Sequence, residues 1–416
     1  VWFITKGIVE VFKDIFPIKD PTRRIVLEFV SVRLKKDKEI NREECKQRSI
    51  TYAYPLHATF RLSKLDKDEA IESEIYMSDL PCMTPNGSFI VNGAERVVVS
   101  QMVRSPGIYY AMEHDKFGTE LYSSTIIPNR GAWIEYESDA NGVMSCRVDR
   151  NRKVPVTVFI RALSNKVGTD AEINELFGEE DFIINSFEKE PQEERNHDSG
   201  ILALYSKMRP GEQISVENCE SLLNNSLFDA KRYDLGRAGR YKYIKKLGIY
   251  NRLAGRTLAE NLVSADGELR FKKGYTLTAE DVDALRNEDF FEQGAHLHVL
   301  NINTKLDTHG NVNIVKVYNN EKDKKVCPII GTDLNSVETH VTISDIAAVF
   351  SYFLNVMDGF GSTDDIDHLG NRRIRCVGEL IQNQFRIGLG KMVKTVQQKM
   401  SISDLGNVKP KALINP

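Results

Sequence analysis

The stretch Gly87-Ser-Phe-Ile-Val-Asn-Gly-Ala-Glu-Arg-Val-Val-Val-Ser-Gln101 carries the clearest local folding signal of the chain. Two runs rich in β-branched residues flank Asn92-Gly93, and both of these residues tolerate a positive φ. The pattern therefore predicts a tight β-hairpin. Pro106-Gly107, a few residues further on, predicts another turn.

Alternating and helical apolar patterns extend outward from this hairpin in both directions. Strands are predicted over residues 25–34, 50–62, 74–77, 133–137, 143–148, 156–160, 296–300 and 313–317. Helices are predicted from the apolar stripe Trp2, Phe3, Ile8, Val11 and Phe12, and over residues 216–227, 278–286, 346–357 and 377–400. Thr342-Ile-Ser-Asp345 is the predicted start of the helix at 346–357. The acidic residues 170–198 predict helix with a mobile loop near 190–200, and residues 407–416 predict a loop. The pattern as a whole indicates an α+β chain with two mixed domains.

The composition excludes several classes of protein. The chain has 416 residues, 41% of them hydrophobic, and a net charge of −3, which is typical of globular proteins. No apolar run approaches the roughly 20 residues that a membrane helix needs. Six cysteines without a CxxC pair predict reduced thiols in a cytosolic protein, with neither a disulfide framework nor a zinc site. The first residue is Val1, so we expect the sequence to be a fragment.

The near-neutral total conceals an uneven distribution of charge. Residues 170–198 hold eleven acids and two bases, whereas residues 229–246 hold seven bases and two acids. Residues 372–399 hold seven bases and one acid, and a shorter basic cluster covers residues 147–153. Because phosphate binding depends on local potential, these clusters are compatible with a basic nucleic-acid surface. The alternative is that each is an ordinary solvated face.

The densest polar group is Asp364-Asp365-Ile-Asp367-His368-Leu-Gly-Asn-Arg372-Arg373. Three carboxylates and a histidine are compatible with a divalent metal site, and hence with a metal-dependent nuclease. The arginines that follow would neutralise the carboxylates, which favours a hydrogen-bonded turn. Such a turn could also read a base edge, since Asp accepts and Arg donates.

Two other segments combine features that suit a nucleic acid. Between Arg232 and Lys242, arginines alternate with tyrosines and glycines, which suits phosphate contact and stacking, but an exposed basic helix is the alternative. Trp133 follows Arg130-Gly131 and is either a core residue or a stacking platform. The chain has no GxSxG, HExxH or Walker motif, and His296 and His298 stand without further metal ligands.

Taken in order, several of these motifs resemble the bacterial RNA polymerase β subunit. They are residues 87–101, Arg104-Ser-Pro-Gly107, Ile127-Pro-Asn-Arg-Gly-Ala-Trp133, residues 147–153, Met208-Arg-Pro-Gly211, Arg232-Tyr-Asp-Leu235 and residues 364–375. The resemblance covers essentially the whole chain and is restricted to the N-terminal part of β. It implies a protrusion domain formed by residues 1–100 and 370–416, and a lobe domain formed by residues 101–369. Residues 249–340 correspond to a lineage-variable region without an assigned function.

The resemblance also implies roles for individual residues. Trp133 would stack on an unpaired non-template base, while Arg104, Asp367 and Arg372 would hold a flipped non-template guanine. Arg209 and Arg232 would line the path of that strand. A second group, at the edge of the rifamycin pocket, comprises Arg96, Val99 and Gln101.

The implied function is that of a DNA-contacting wall in a cytoplasmic polymerase. The whole enzyme is a nucleotidyltransferase that uses magnesium held mainly by β′; the fragment itself is expected to have no catalytic residues, metal or cofactor. Partners would be DNA, the rest of β, β′, α and sigma, without a membrane. In the family, the transcription-repair coupling factor docks at an Ile-Lys-Glu segment, and this sequence has Ala70-Ile71-Glu72 there. Docking at Ile71 and Glu72 through backbone groups remains available, but the lysine contact is lost. The alternative function is a docking platform for transcription factors.

Overall fold

The computed structural model describes residues 7–20, 25–36, 41–64, 69–190, 195–212, 215–300, 310–319, 325–402 and 409–415. Its helices are α1 (Ile8–Ile15), α2 (Arg42–Gln47), α3 (Val156–Leu163), α4 (Asp170–Phe177), α5 (Asp181–Glu188), α6 (His197–Met208), α7 (Val216–Leu223), α8 (Gly236–Leu247), α9 (Ile249–Leu253), α10 (Ala279–Asn287), α11 (Ile343–Met357), α12 (Val377–Ile402) and α13 (Pro410–Leu413). Its strands are β1 (Ile18–Lys19), β2 (Ile25–Leu34), β3 (Ala53–Lys64), β4 (Glu69–Pro81), β5 (Phe89–Val91), β6 (Ala94–Arg96), β7 (Gln101–Arg104), β8 (Gly107–His114), β9 (Glu120–Ile127), β10 (Ile134–Ser138), β11 (Met144–Val148), β12 (Val154–Pro155), β13 (Leu262–Val263), β14 (Leu269–Phe271), β15 (Leu297–Val299), β16 (Asn311–Tyr318), β17 (Val326–Gly331) and β18 (Arg372–Arg375). The mixture confirms the α+β class.

The chain divides into two compact units. The first contains residues 1–103 and 373–416, and the second contains residues 104–372. Among the described helices, none is long and apolar enough to cross a membrane. The names protrusion and lobe for these units stay a prediction.

The first unit is built on a four-stranded antiparallel sheet in the order β1-β2-β3-β4. Alternate residues of β3 are buried, as expected of a strand with one face on a core. Phe12 of α1 stacks on Phe29 of β2 with 4.6 Å between ring centroids, and Phe60 of β3 lies against both rings. Helices α1 and α12 cover this face, and β4 forms the edge of the sheet.

The predicted hairpin is present in the first unit. Strands β5 and β6 pair antiparallel, and Asn92 and Gly93 between them have φ values of 50° and 79°. A Cβ atom at Gly93 would lie 2.7 Å from the Ser49 Cα, so only glycine fits this position. An ion pair of 2.7 Å between Lys46 and Glu95 joins the hairpin to α2.

The second unit is built around a five-stranded antiparallel sheet in the order β12-β11-β10-β9-β8. Helix α11 packs against it with nearly all of its residues buried, and Tyr136 of β10 lies 6.2 Å from Phe350 between ring centroids. Thr342 caps α11 in a reciprocal pair with Asp345, as the sequence predicts. Arg240 of α8 then binds both carboxylate oxygens of Asp345 at 2.7 and 2.8 Å. This buried ion pair joins two helices of the unit.

Residues 249–340 contribute their own apolar cluster to the second unit. Strands β15, β16 and β17 form one sheet, and β13 and β14 form a smaller one. Leu258, Leu277 and Val315 are fully buried between them and α10. The predicted helix near 278–286 and strand near 313–317 are confirmed as α10 and β16.

Three sequence predictions of secondary structure are corrected. The predicted strand at 156–160 is the helix α3, in which all eight residues are buried; a segment buried on every side shows neither helical nor strand periodicity. The predicted loop at 190–200 is already helical from His197, where Asn196 caps α6, while residues 191–194 lie outside the described residues. At the C-terminus, α13 buries Leu413 where a loop was predicted. Trp2 and Phe3, which belong to the predicted N-terminal helix, lie outside the described residues.

Candidate nucleic-acid interface

The turn between α11 and β18 is fixed to the sheet of the second unit by Asp364. Its backbone N–H donates to the Tyr110 carbonyl oxygen at 2.7 Å, and its Oδ2 accepts from the Tyr110 N–H at 2.8 Å. The same carboxylate forms an ion pair with Lys246 of α8. Asp364 therefore anchors the turn, and its Oδ2 is already engaged.

The rest of the turn is a chain of local hydrogen bonds that presents Asp367 to solvent. Asp365 Oδ1 accepts from the Asp367 N–H at 2.9 Å, and the Asn371 side chain donates to the Asp365 carbonyl at 2.7 Å. The Asp367 side chain is 91% exposed, and one of its oxygens lies 3.8 Å from a guanidinium nitrogen of Arg372. This arrangement is the hydrogen-bonded turn that the sequence favoured over a metal site, with a carboxylate and a guanidinium side by side.

A cluster of potential metal ligands within the described residues lies elsewhere, at Glu180, Cys327 and Asp358. Lys325 forms ion pairs with both carboxylates of that cluster, so it already supplies the balancing positive charge. Burial lowers the pKa of Lys325, but the two carboxylates outweigh that effect and hold the pKa above its ordinary value. The cluster is therefore best described as a partly buried ion-pair network.

Arg104 lies next to this turn. The N–H of Ser105 donates to the Asn371 carbonyl at 2.9 Å. Arg104 precedes Ser105 and Arg372 follows Asn371, so the two arginines are neighbours along paired backbone. Both side chains are exposed. The Tyr109 hydroxyl donates to the Ser105 carbonyl at 2.6 Å and fixes the segment from the protein side. The structure thus places Arg372 beside Asp367 and next to Arg104 along the backbone; the resemblance implies that these three residues form one pocket.

Trp133 stands at the start of β10 and is 40% exposed. It is therefore not a core residue, which leaves the stacking interpretation open. Its loop is bonded to the loop of Arg232, because the N–H groups of Asn129 and Arg130 donate to the Asp234 carbonyl at 2.8 and 3.0 Å. The Asp234 N–H donates back to the Arg130 carbonyl at 2.7 Å. Two segments a hundred residues apart therefore form one structural feature.

The side chain of Tyr233 packs between these two loops. It is fully buried, and burial raises its pKa well above the ordinary value. Gly131 passes directly over its ring with a φ of 133°, and a Cβ atom there would lie 2.6 Å from Tyr233 Cδ2. The close contact between Gly131 of one loop and Tyr233 of the other thus requires a glycine at position 131.

The remaining predicted basic residues are exposed and weakly paired. Arg209, at the end of α6, lies 3.5 Å from Glu212, and Arg232 lies 3.9 Å from Asp229. Exposed pairs of this kind contribute about 0–1 kcal/mol, so either arginine can exchange its carboxylate for a phosphate at little cost.

In the first unit, the predicted residues of the rifamycin-pocket edge lie in and after the hairpin. Arg96 ends β6, Gln101 begins β7, and both are exposed, while Val99 is 77% exposed. Ile71 and Glu72 lie in β4, and Glu72 accepts from Arg61 of the neighbouring β3 at 2.8 Å.

Several positioning residues could not be found from local sequence. Lys246, Tyr110 and Asp234 hold the two candidate loops, yet each contacts residues about one hundred or more positions away in sequence. Only the Asp and Gly content of the segments marked them as loops. No spacing rule in a single sequence links such distant segments.

An α+β chain of this kind, with arginines and a tryptophan presented on loops tied to a sheet, has the features of a nucleic-acid-binding module. The chain belongs to the RNA polymerase Rpb2, domain 2, family, whose model matches residues 104–287 and 323–375, more than half of the chain. The resemblance predicted from the motifs is thereby confirmed.

The relatives are consistent with this membership. The chain is 45% identical over 418 residues to the DNA-directed RNA polymerase subunit beta of Staphylococcus epidermidis (strain RP62A), covering 100% of this chain and 35% of that protein. It is 43% identical over 438 residues to the subunit of the same name from Acetivibrio thermocellus, covering 99% of this chain and again 35% of the relative. The chain thus spans about a third of the length of these relatives.

Proposed function

We propose that this chain is the part of a bacterial RNA polymerase β subunit that contacts the non-template strand and downstream DNA during transcription. The observation that carries the proposal is the pairing of the Trp133 loop with the Arg232 loop. A stacking ring and a phosphate-binding guanidinium are thereby held on one feature, as single-strand recognition requires. The chain would act in the cytoplasm beside the rest of β, β′, α and sigma, within a nucleotidyltransferase whose magnesium is held by other residues.

The base-reading part of the proposal rests on the turn that carries Asp367. Its carboxylate can accept from the donor edge of guanine, and the adjacent Arg372 and Arg104 can hold sugar and phosphate. Because such a pocket recognises an unstacked base, it acts on the separated strand rather than on the duplex.

Binding of fluorescein-labelled single-stranded DNA to the chain tests the strand contact by anisotropy. Trp133→Ala should weaken binding by about 5- to 150-fold, because stacking on one aromatic ring contributes roughly 1–3 kcal/mol. Trp133→Phe is the matched control, since it keeps a ring and should retain most of the affinity. Affinity should fall as salt rises. Equal affinities of Trp133→Ala and the unchanged chain would contradict the stacking role.

The guanine pocket is tested in polymerase reconstituted with Asp367→Ala. We expect a reduced preference for guanine at one non-template position, with synthesis maintained on other templates. An equal loss on every template would exclude base reading by Asp367.

A second candidate function, docking of a protein factor, is supported by the sheet of the first unit. Strand β4 is 13 residues long and lies at the edge of the sheet, where a partner strand can add through backbone hydrogen bonds. Ile71 and Glu72 lie in this strand, at the positions where the resemblance places docking of the transcription-repair coupling factor, although without the family's lysine. Ile71→Pro should abolish such binding and leave single-stranded DNA binding unchanged, and unchanged factor binding would refute this candidate.

A further inference from the structure

The second unit contains a cavity of about 730 Å³ to which no function has been assigned. Its walls come from β8, the end of α8, α9 with the residues after it, α11, and the turn at 360–371. The volume lies within the range of about 300–1,000 Å³ that is typical of small-ligand sites. The cavity opens beside the turn of Asp367, but Arg104, Trp133 and Asp367 do not line it.

The charge that lines the cavity is strongly positive. Five basic side chains face a single acidic one, Asp364. The five are Lys242, Lys245, Lys246, Arg252 and Arg256. Asp364 is paired with Lys246 and with the Tyr110 backbone, so a single carboxylate faces five cations. Within the described ranges, no carboxylate lies at ion-pair distance from the remaining four.

Arg252 shows the imbalance most clearly. Three arginines in this unit are more than nine-tenths buried, namely Arg161, Arg240 and Arg252. Arg161 is paired with Glu190 and Arg240 with Asp345. Among the described residues, the acceptors of Arg252 are all neutral: the Ile330 carbonyl, Ser351 and Asn355. Burial lowers its pKa to about 10, as expected for a guanidinium without a counter-charge.

Arg256 and the surrounding rings add a second, independent observation. The Nε of Arg256 is buried and has no hydrogen-bond partner in the described part of the chain. The guanidinium lies 4.7 Å from the centre of the Phe360 ring, and Arg252 lies 5.2 Å from that of Tyr352. Rings in these positions hold cations in place without cancelling their charge. A terminal nitrogen of Arg256 donates to the Phe360 carbonyl at 2.6 Å, which fixes the guanidinium in the wall. The cavity therefore offers cations that are held in place without a counter-charge.

We propose that this cavity is a phosphate-binding site, in which the four cations without a carboxylate partner hold the phosphate groups of a nucleotide ligand. Phosphate supplies the missing negative charge and accepts from the forked guanidinium donors. The phosphates come either from a DNA strand that continues past the Asp367 turn or from a free nucleotide. The first source rests on the proposed function, whereas the second does not depend on it.

Isothermal titration of the 416-residue chain with inorganic pyrophosphate, ATP and unlabelled (dT)12 tests this site. Lys245 is exposed on α8, so Lys245→Gln removes one cavity charge without disturbing the core. Lys273→Gln is the matched control, because it removes one exposed lysine of the same unit away from the cavity. Arg256→Gln tests the deeper wall, with thermal unfolding recorded to verify that the variant is folded.

We expect Lys245→Gln and Arg256→Gln each to weaken the ligand that binds by about tenfold, with Lys273→Gln unchanged. Binding of pyrophosphate and ATP identifies a free nucleotide as the source. Binding of (dT)12 alone, with a salt slope reduced by about 0.7 in Lys245→Gln, identifies a strand. The proposal is overturned if no probe binds, or if Lys245→Gln and Lys273→Gln behave alike. Loss of strand binding in Trp133→Ala with pyrophosphate binding retained separates this site from the proposed function.

Discussion

Gly131→Ala is the substitution that most directly tests how the candidate interface is built. The glycine lies over the ring of Tyr233, and its φ of 133° belongs to a region that side-chain-bearing residues rarely adopt. The added Cβ would lie 2.6 Å from the ring, well inside ordinary contact distance. Tyr233 is fully buried, so its ring has no free space into which to move.

The expected loss of stability has two parts. The backbone strain of an alanine at this φ is about 1–3 kcal/mol. Forcing an extra methyl group against a buried ring costs about another 1–3 kcal/mol. Gly131→Ala should therefore lower the free energy of unfolding of the second unit by about 2–6 kcal/mol.

Urea denaturation measures this change, with Gly118→Ala as the matched control. Gly118 belongs to the same unit and has a φ of 82°, but a Cβ atom there meets nothing within 4 Å. Its substitution should cost only the conformational strain, about 1–2 kcal/mol. If the two variants lose the same free energy with unchanged m-values, the contact between Gly131 and Tyr233 does not constrain this loop.

Two further predictions concern charge. Arg240→Met should destabilise the second unit by about 3–5 kcal/mol in urea denaturation, because it leaves Asp345 buried without its partner. Arg61→Met removes one partner of an exposed ion pair and should cost less than about 1 kcal/mol. Similar losses in the two variants would contradict the burial argument. Hydrogen bonding to Arg373 lowers the pKa of Glu379 below 4.5, so its stabilisation is complete above pH 4.5 and disappears as the pH falls through the lowered value. The stability difference between the chain and Glu379→Gln should therefore shrink on acidification, and a constant difference would refute the assignment.

Features determined by neighbouring residues could be predicted from the sequence. The hairpin at Asn92-Gly93 follows from two residues that accept positive φ, and the start of α11 follows from a Thr that caps the helix with an Asp three positions later. The turn at Asp364 could also be recognised, because closely spaced Asp and Arg side chains favour local hydrogen bonds. In each case the deciding interactions lie within a few residues.

Features determined by burial and by distant contacts could not be predicted from the sequence. Residues 156–163 are apolar except for Thr157 and Arg161, and all eight are buried in α3. A segment enclosed in this way shows no periodicity, so its sequence is equally compatible with a strand. The partner of Asp364 is Lys246, on a different helix, and nothing near either residue identifies the pair. The exposure of Trp133 likewise depends on the packing of the surrounding loops.

The backbone hydrogen bonds between the Trp133 and Arg232 loops affect how the predicted DNA contacts of these two residues add up in binding free energy. If both residues touch the same strand, Trp133→Ala and Arg232→Gln should each weaken DNA binding. Neither change alters the backbone pairing of the loops, so in the double variant the two losses of binding free energy should add within about 0.5 kcal/mol. Gly131→Ala acts on the pairing itself, so at a temperature where the unit stays folded it should impair both contacts at once. Its loss of affinity should then exceed that of either single change. An effect of Gly131→Ala smaller than that of Trp133→Ala would show that the loops position their side chains independently.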